Sequence, residues 1–235
     1  MSQDKLSQKL DKIKNEFIVF GDSHAGSFSS YVNNVKVFHG SSAKGLGNPI
    51  SISGTNNNIT QQCMQQKYNG YIFLFGKVDM DFVLTYILHI RPHTNFKKYI
   101  DNILYNYINF IKELCVENVY ICELAISHLT DENLVKINNS FSPYQFYIHI
   151  DGASNPITYH TCLPYNVRNE YILYFNEKLK EYCKENNYKL LEVNKHFLSD
   201  SGEYNIPIEY INENEIDHHL RYDQLGELYI KSIEI

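Results

Sequence analysis

With 235 residues, 43% of them hydrophobic and 20% charged, the chain has ordinary globular composition and enough apolar material for one substantial core. Its formal net charge is -6 and no long basic cluster is present, so charge gives no basis for binding a nucleic-acid backbone or an anionic membrane. No run reaches the roughly 18 continuous apolar residues of a spanning helix, and the first residues lack a signal-peptide pattern. The expectation is one soluble, unprocessed domain over residues 1–235, without membrane insertion, in the cytoplasm, or in the host cytoplasm if the source is viral. Cys63, Cys115, Cys122, Cys162 and Cys183 are odd in number and form no C-x-x-C pair. That usage fits free thiols in a reducing compartment better than a disulfide frame or a zinc site.

Residues 3–14 carry Leu6, Leu10 and Ile13 at helical spacing, a short polar helix or leader. Five short runs rich in Val, Ile, Phe, Tyr and Leu follow, at 16–20, 35–38, 71–75, 118–124 and 189–193, each of strand length. Between them the pattern turns helical over 96–115, where Ile100, Ile103, Leu104, Tyr107, Ile108, Ile111 and Leu114 draw one face, and over 167–184. A last helix starts near Tyr222 and runs through Leu225, Leu228 and Ile230. Strand and helix alternate, which predicts a mostly parallel sheet covered on both faces by right-handed crossovers. The strands read as continuous apolar runs, as doubly buried strands do. Residues 126–166 break the rhythm with Pro143, Gly152, Pro156 and Pro164, and predict an irregular insertion leaving the carboxyl end of the fourth strand. Its Tyr144, Phe146, Tyr147, Tyr159 and Tyr165 either line a substrate groove or anchor the loop to the body.

The first strand ends on Gly21-Asp22-Ser23-His24. A parallel strand that stops in a glycine turn delivers the next side chains to the carboxyl edge of the sheet, where open α/β folds bind ligands. Ser23 there is a candidate nucleophile, with its own amide available to an oxyanion; the competing reading is that Asp22 or Ser23 only caps a helix. A serine hydroxyl needs a base. Glu215-Ile216-Asp217-His218-His219 before the last helix offers one: Asp217 orients an imidazole, and His218 or His219 accepts the proton. Metal ligation by the adjacent histidines is less attractive, because no second His cluster is evident and consecutive side chains usually point apart.

This order of blocks resembles the SGNH hydrolase superfamily, also called GDSL-like hydrolases, over nearly the whole chain. The resemblance implies a three-layer α/β/α sandwich with a five-stranded, mostly parallel, flavodoxin-like sheet and a Ser-His-Asp triad that hydrolyses or transfers acyl groups. It implies Ser23 as nucleophile, His219 as base and Asp217 as its orienter, with His218 and Glu215 as the alternate pair. Ser23 and Gly45 would give the oxyanion amides, with Gly47 next in line. Asp22, His24, Gly76 and Asp79 would shape the site, and Arg91 is a further cation beyond it. The family's third block is Gly-x-Asn-Asp, whereas this chain has Gly76-Lys77-Val78-Asp79, so Val78 stands where the oxyanion asparagine belongs. A branch written Gly-Glu-x-Asp, often tied to glycans, is nearer. The implied partner is a small-molecule or glycan ester, with no metal and no organic cofactor required; the alternative is a weakly active domain that binds a glycan or a protein through the same cleft.

Overall fold

The computed structural model describes residues 3–48, 53–140, 162–199, 203–214 and 217–234. Five strands form one sheet: β1 (Phe17–Gly21), β2 (Asn34–Val37), β3 (Gly70–Leu74), β4 (Val119–Cys122) and β5 (Lys189–Leu191), in the order β2-β1-β3-β4-β5. All four pairings are parallel. Every residue of β1, β3 and β4 is buried, whereas β2 and β5 at the edges are partly exposed. The expected strands therefore exist within a few residues of their expected bounds. Continuous hydrophobicity marked them because helices cover both faces of the central three.

The helices are α1 (Gln3–Glu16), α2 (Ala43–Leu46), α3 (Thr55–Gln65), α4 (Leu84–Ile90), α5 (Phe96–Glu113), α6 (Asp131–Ser140), α7 (Tyr165–Glu185) and α8 (Tyr222–Ser232). Helix α5 buries Ile100, Ile103, Leu104, Tyr107, Ile108 and Ile111, the face that its spacing draws, and starts where the Asn95 side chain accepts the Lys98 amide. The chain beyond β4 is more regular than expected. Residues 131–140 are helical, with Asp131 and Glu132 in the first turn and Leu134 and Ile137 packed with Phe82, Leu129 and Cys162. Tyr165, one of the expected groove aromatics, opens α7 on the surface; Tyr144, Phe146, Tyr147 and Tyr159 lie outside the described residues. The fully buried Arg168 fastens this region by donating to Asp131 Oδ1 (2.8 Å), to the carbonyl of Leu163 and to that of Leu129.

Strand order places the site. The chain steps from β1 to β2 in one direction and continues through β3, β4 and β5 in the other, so the reversal falls between β1 and β3. At such a switch point the connections leave in opposite directions and open a crevice at the carboxyl ends of the two strands. Gly21 and Leu74 are the paired last residues of β1 and β3. They are pressed together, because a Cβ on Gly21 would lie 2.4 Å from the Leu74 carbonyl oxygen.

Candidate active site

The β1 strand runs straight into a 3-10 turn, Ser23–Phe28. Its cap is Asp22, whose Oδ1 accepts the His24 amide at 3.0 Å and stands 2.9 Å from His24 Nδ1. Capping therefore falls to Asp22 and leaves the Ser23 hydroxyl for the crevice. Ser23 Oγ lies 2.7 Å from His219 Nε2 and 3.5 Å from His218 Nε2, across 196 and 195 residues of sequence. Among the described residues no protein acceptor takes the Ser23 amide, as the first turn of a helix would leave it.

Asp217-His218-His219 repeats the local geometry of Asp22-Ser23-His24. Asp217 Oδ1 accepts the His219 amide at 3.0 Å and sits 2.6 Å from His219 Nδ1. Two-residue spacing suffices because an aspartate can close a turn onto the amide two residues on, and the ring nitrogen follows that amide to the same oxygen. The other oxygen, Oδ2, accepts from Asn212 Nδ2 at 2.9 Å, and His128 Nε2 donates to the Asp217 carbonyl at 2.9 Å. Glu215, of the alternate pair, lies outside the described residues. Consecutive His side chains were expected to diverge; instead the rings of His218 and His219 have centroids 3.8 Å apart, and both reach Ser23. The loop holds them together through Phe82, whose ring meets His218 edge-on at 5.0 Å, and His24, 4.6 Å from the His219 ring.

Burial pushes Asp217 up, but the side-chain and backbone bonds from His219 outweigh it and the carboxylate sits below its ordinary range. Burial lowers His219; Asp217 pulls it back up and His24 lowers it again, with a net shift below 6.5. His218 is pushed far lower by burial and by His24 and His219, and is a neutral ring. The ring facing Ser23 is thus an unprotonated acceptor at neutral pH, held by an ionised carboxylate.

The loop after β2 is tied to the loop after β3. Asp79 is fully buried and accepts the Ala43 amide at 2.6 Å and the Lys44 amide at 3.5 Å, which anchors the start of α2. Burial lifts its pKa to about 7, against those two bonds. Gly45 was the expected second oxyanion donor, but its amide already donates to Ser42 Oγ (3.0 Å) and to the Ser42 carbonyl (3.1 Å) as the first turn of α2 closes. The Gly47 amide is directed to the Gly45 carbonyl. Gly76 is at φ +119, and a Cβ there would meet the Phe175 ring at 2.8 Å, so this glycine is needed both for its backbone and for space. Val78 is buried and opens a π-helical turn, Asp79–Val83, a rare form frequent at functional sites. Lys77 is buried beside it and pairs with both oxygens of Asp81, at 3.3 and 3.1 Å. Arg91 ends α4 on the exposed surface.

Sequence reasoning missed several of these contacts. His128 and Asn212 carry no motif. The Tyr222 hydroxyl donates to the Ser23 carbonyl at 3.0 Å and that of Tyr31 to the Asp223 carbonyl at 2.8 Å, which seats α8 against the turn bearing Ser23. His24 was expected beside the site; its pairing with Asp22 was foreshadowed only by the repeated Asp-x-His.

No protein-family model matches the chain, and no curated protein matches it in sequence. Its fold is similar to solved structures. One is a proposed acylhydrolase from Bacteroides fragilis, at 10% identity over 98% of this chain and 92% of the other, with a TM-score of 0.51. Another is an alpha/beta hydrolase enzyme from the metagenome of Lake Arreo, Spain, at 8% identity over 93% and 94%, with a TM-score of 0.50. A proposed lipolytic protein of the G-D-S-L family from Desulfitobacterium hafniense is similar at 13% identity over 93% and 100%, TM-score 0.48. The chain shares its α/β fold, built on a five-stranded parallel sheet, with the first two of these structures.

Proposed function

We propose that the protein is a serine-dependent hydrolase of O-acyl esters. One observation carries the reading: Ser23 Oγ, His219 Nε2, His219 Nδ1 and Asp217 Oδ1 form a continuous relay with gaps of 2.7 and 2.6 Å at the carboxyl edge of the sheet. Ser23 Oγ attacks the acyl carbon while His219 Nε2 takes its proton, and Asp217 holds the ring and stabilises its cation. The Ser23 amide donates to the oxyanion. Collapse of the tetrahedral intermediate breaks the ester C–O bond, and His219 returns the proton to the leaving alkoxide. Water then repeats the sequence on the acyl-serine, releasing the acid; an alcohol in place of water makes the same site an acyltransferase. His24 and His218 wall the site, and Asp79 fixes the loop beside it. Similarity of fold to proteins described as an acylhydrolase and a hydrolase enzyme supports the general class.

For the substrate we propose an acyl, and specifically acetyl, ester of a carbohydrate, on the ground that Gly76-Lys77-Val78-Asp79 lies nearest the glycan-linked form of the third block. A serine-directed fluorophosphonate with peptide mapping tests the nucleophile, and release of acetate from acetylated sugars against simple aryl acetates tests the substrate. A Ser23 adduct, with turnover abolished in Ser23→Ala, is expected; turnover unchanged in that variant would sink the serine mechanism. Val78 favours a second reading. With no asparagine donor and with the Gly45 amide engaged in α2, one Ser23 amide is a thin oxyanion hole, and a domain that binds glycan or a protein partner while turning over weakly fits that deficit.

A further inference from the structure

Histidine is concentrated around Ser23 beyond what a triad uses. One ring nitrogen from each of His24, His218 and His219 lies within 4.8 Å of those of the other two. The ring centroids are 3.8, 4.6 and 5.1 Å apart. Two of the rings are backed by a carboxylate in the same way: His24 Nδ1 on Asp22 Oδ1 at 2.9 Å and His219 Nδ1 on Asp217 Oδ1 at 2.6 Å. Each therefore has its Nε2 free of a carboxylate. His218 has its Nε2 turned toward Ser23 Oγ, the atom that His219 Nε2 also faces.

We propose that His24, His218 and His219 form a three-histidine site for a divalent transition-metal ion of the Zn²⁺ type, and that its occupation switches off the chemistry of Ser23. Three imidazoles with water in the fourth position are a tetrahedral donor set that zinc accepts, and imidazole selects Zn²⁺, Ni²⁺ or Cu²⁺ over Mg²⁺ and Ca²⁺. Metal-bound histidines almost always give their second ring nitrogen to a carboxylate or carbonyl, the arrangement that Asp22 and Asp217 supply. Tetrahedral bonds of 2.0–2.1 Å put ligand nitrogens roughly 3.3 Å apart, so the rings close by up to about 1.5 Å at the widest pair, a side-chain rotation. The lone pair of His219 Nε2 cannot serve both the ion and the Ser23 proton, so the loaded site has no base. The metal site stands without the ester-hydrolase reading; its effect on turnover rests on that reading.

The test uses the full chain stripped with a chelator and titrated calorimetrically with ZnCl₂, with Co²⁺ absorption as a geometry readout. One ion per chain and the intense visible bands of four-coordinate Co²⁺ are expected. His24→Ala and His218→Ala should each weaken binding at least tenfold, Asp22→Asn about 10- to 100-fold, and Ser23→Ala should leave it within about threefold. Asp22→Asn keeps the inference testable should a histidine variant fail to fold. Equal affinity in wild type and in the His24→Ala/His218→Ala double variant would assign the zinc to exposed histidines such as His39, His93 or His196 and overturn the site. A weak octahedral Co²⁺ spectrum would do the same. Zinc should also block fluorophosphonate labelling of Ser23, with labelling restored by EDTA. Labelling unaffected by bound zinc overturns the switch. A wild-type protein that binds one zinc but never labels sinks the hydrolase reading and leaves the metal site standing.

Discussion

Gly226 of α8 lies so close to Ser27 that a Cβ built on it would stand 2.0 Å from the Ser27 carbonyl oxygen. Ser27 belongs to the turn that starts at Ser23, and α8 begins three residues after His219, so this contact fixes the distance between the two halves of the relay. Gly226→Ala must push the helix off the turn. Overpacking of this kind costs about 1–3 kcal/mol, or roughly 2–12 °C in Tm for a chain of this size. The expected signature is a loss of ester turnover larger than the loss of folded protein at the assay temperature, because Ser23 Oγ and His219 Nε2 separate before the core opens. Calorimetry alongside kinetics checks it; full turnover in a protein with lowered Tm would contradict the coupling.

Asp79 sets a pH dependence of stability. In the unfolded chain its carboxyl ionises near 3.8, and in the folded protein burial holds it to about 7. Between those values the folded state binds a proton that the unfolded state lacks. Its contribution is therefore fully present below pH 3.8, falls as pH rises toward 7, and is constant above that, a change on the order of a few kcal/mol. Asp79→Asn keeps an acceptor for the Ala43 amide and removes the titration. Urea unfolding from pH 4 to 8 should show a flatter stability profile in this variant, with its advantage over the wild type greatest at the alkaline end. A parallel profile in the two proteins would rule the titration out.

The regularity of the fold was open to reading because the core strands and the long helices advertise themselves. Val19, Ile72 and Ile121 sit in runs that are apolar on both faces, and Ile100, Leu104, Tyr107 and Ile111 recur at the helical period. Helix α3 did not, since Thr-Asn-Asn-Asn-Ile-Thr-Gln-Gln buries little beyond Thr55, Asn56 and Ile59 and starts from Gly54 at φ +59 rather than from a side-chain cap. In the site, the meeting of Ser23 with His219 and Asp217 was legible because hydroxyl, imidazole and carboxylate stand in a known chain order. The Gly45 amide was misjudged for a local reason: a serine three residues before a glycine claims its N–H as a helix cap. Arg168, buried against two carbonyls and Asp131, has no local signature, because its partners come from segments more than 30 residues away or from a main chain with no sequence identity to read.

Activity should rise with pH along a limb set by His219. The ring must be neutral to take the Ser23 proton, and burial holds its pKa below 6.5 despite Asp217. The acid limb of kcat/KM therefore has its midpoint below 6.5, with a plateau through neutrality. Asp217→Asn removes the influence that raises the ring and frees it to take the wrong tautomer. The midpoint should move further to acid and the plateau fall by about 10⁴, the loss seen when the orienting aspartate of a serine protease is changed this way. A midpoint that does not move would take Asp217 out of contact with the base during turnover.

Val78 is where a gain of function is expected. In hydrolases that use a side-chain amide in the oxyanion hole, removing it costs about 2.7–4 kcal/mol of transition-state stabilisation. Here the Ser23 amide is left without that help, and the Gly45 amide is held by Ser42. Val78→Asn introduces a side-chain donor of similar size directly before Asp79, whose bonds to Ala43 and Lys44 keep the loop in place. The cost is a polar group at a buried position, about 1–3 kcal/mol if it finds no partner in the resting protein. A donor that meets the oxyanion chiefly in the transition state raises kcat more than it changes KM. We expect at least a tenfold rise in kcat for an aryl acetate, with KM within about threefold and a lower Tm. Unchanged kcat in a folded variant would mean that residue 78 does not face the developing charge, and that the deficit is built into the loop's backbone rather than into one side chain.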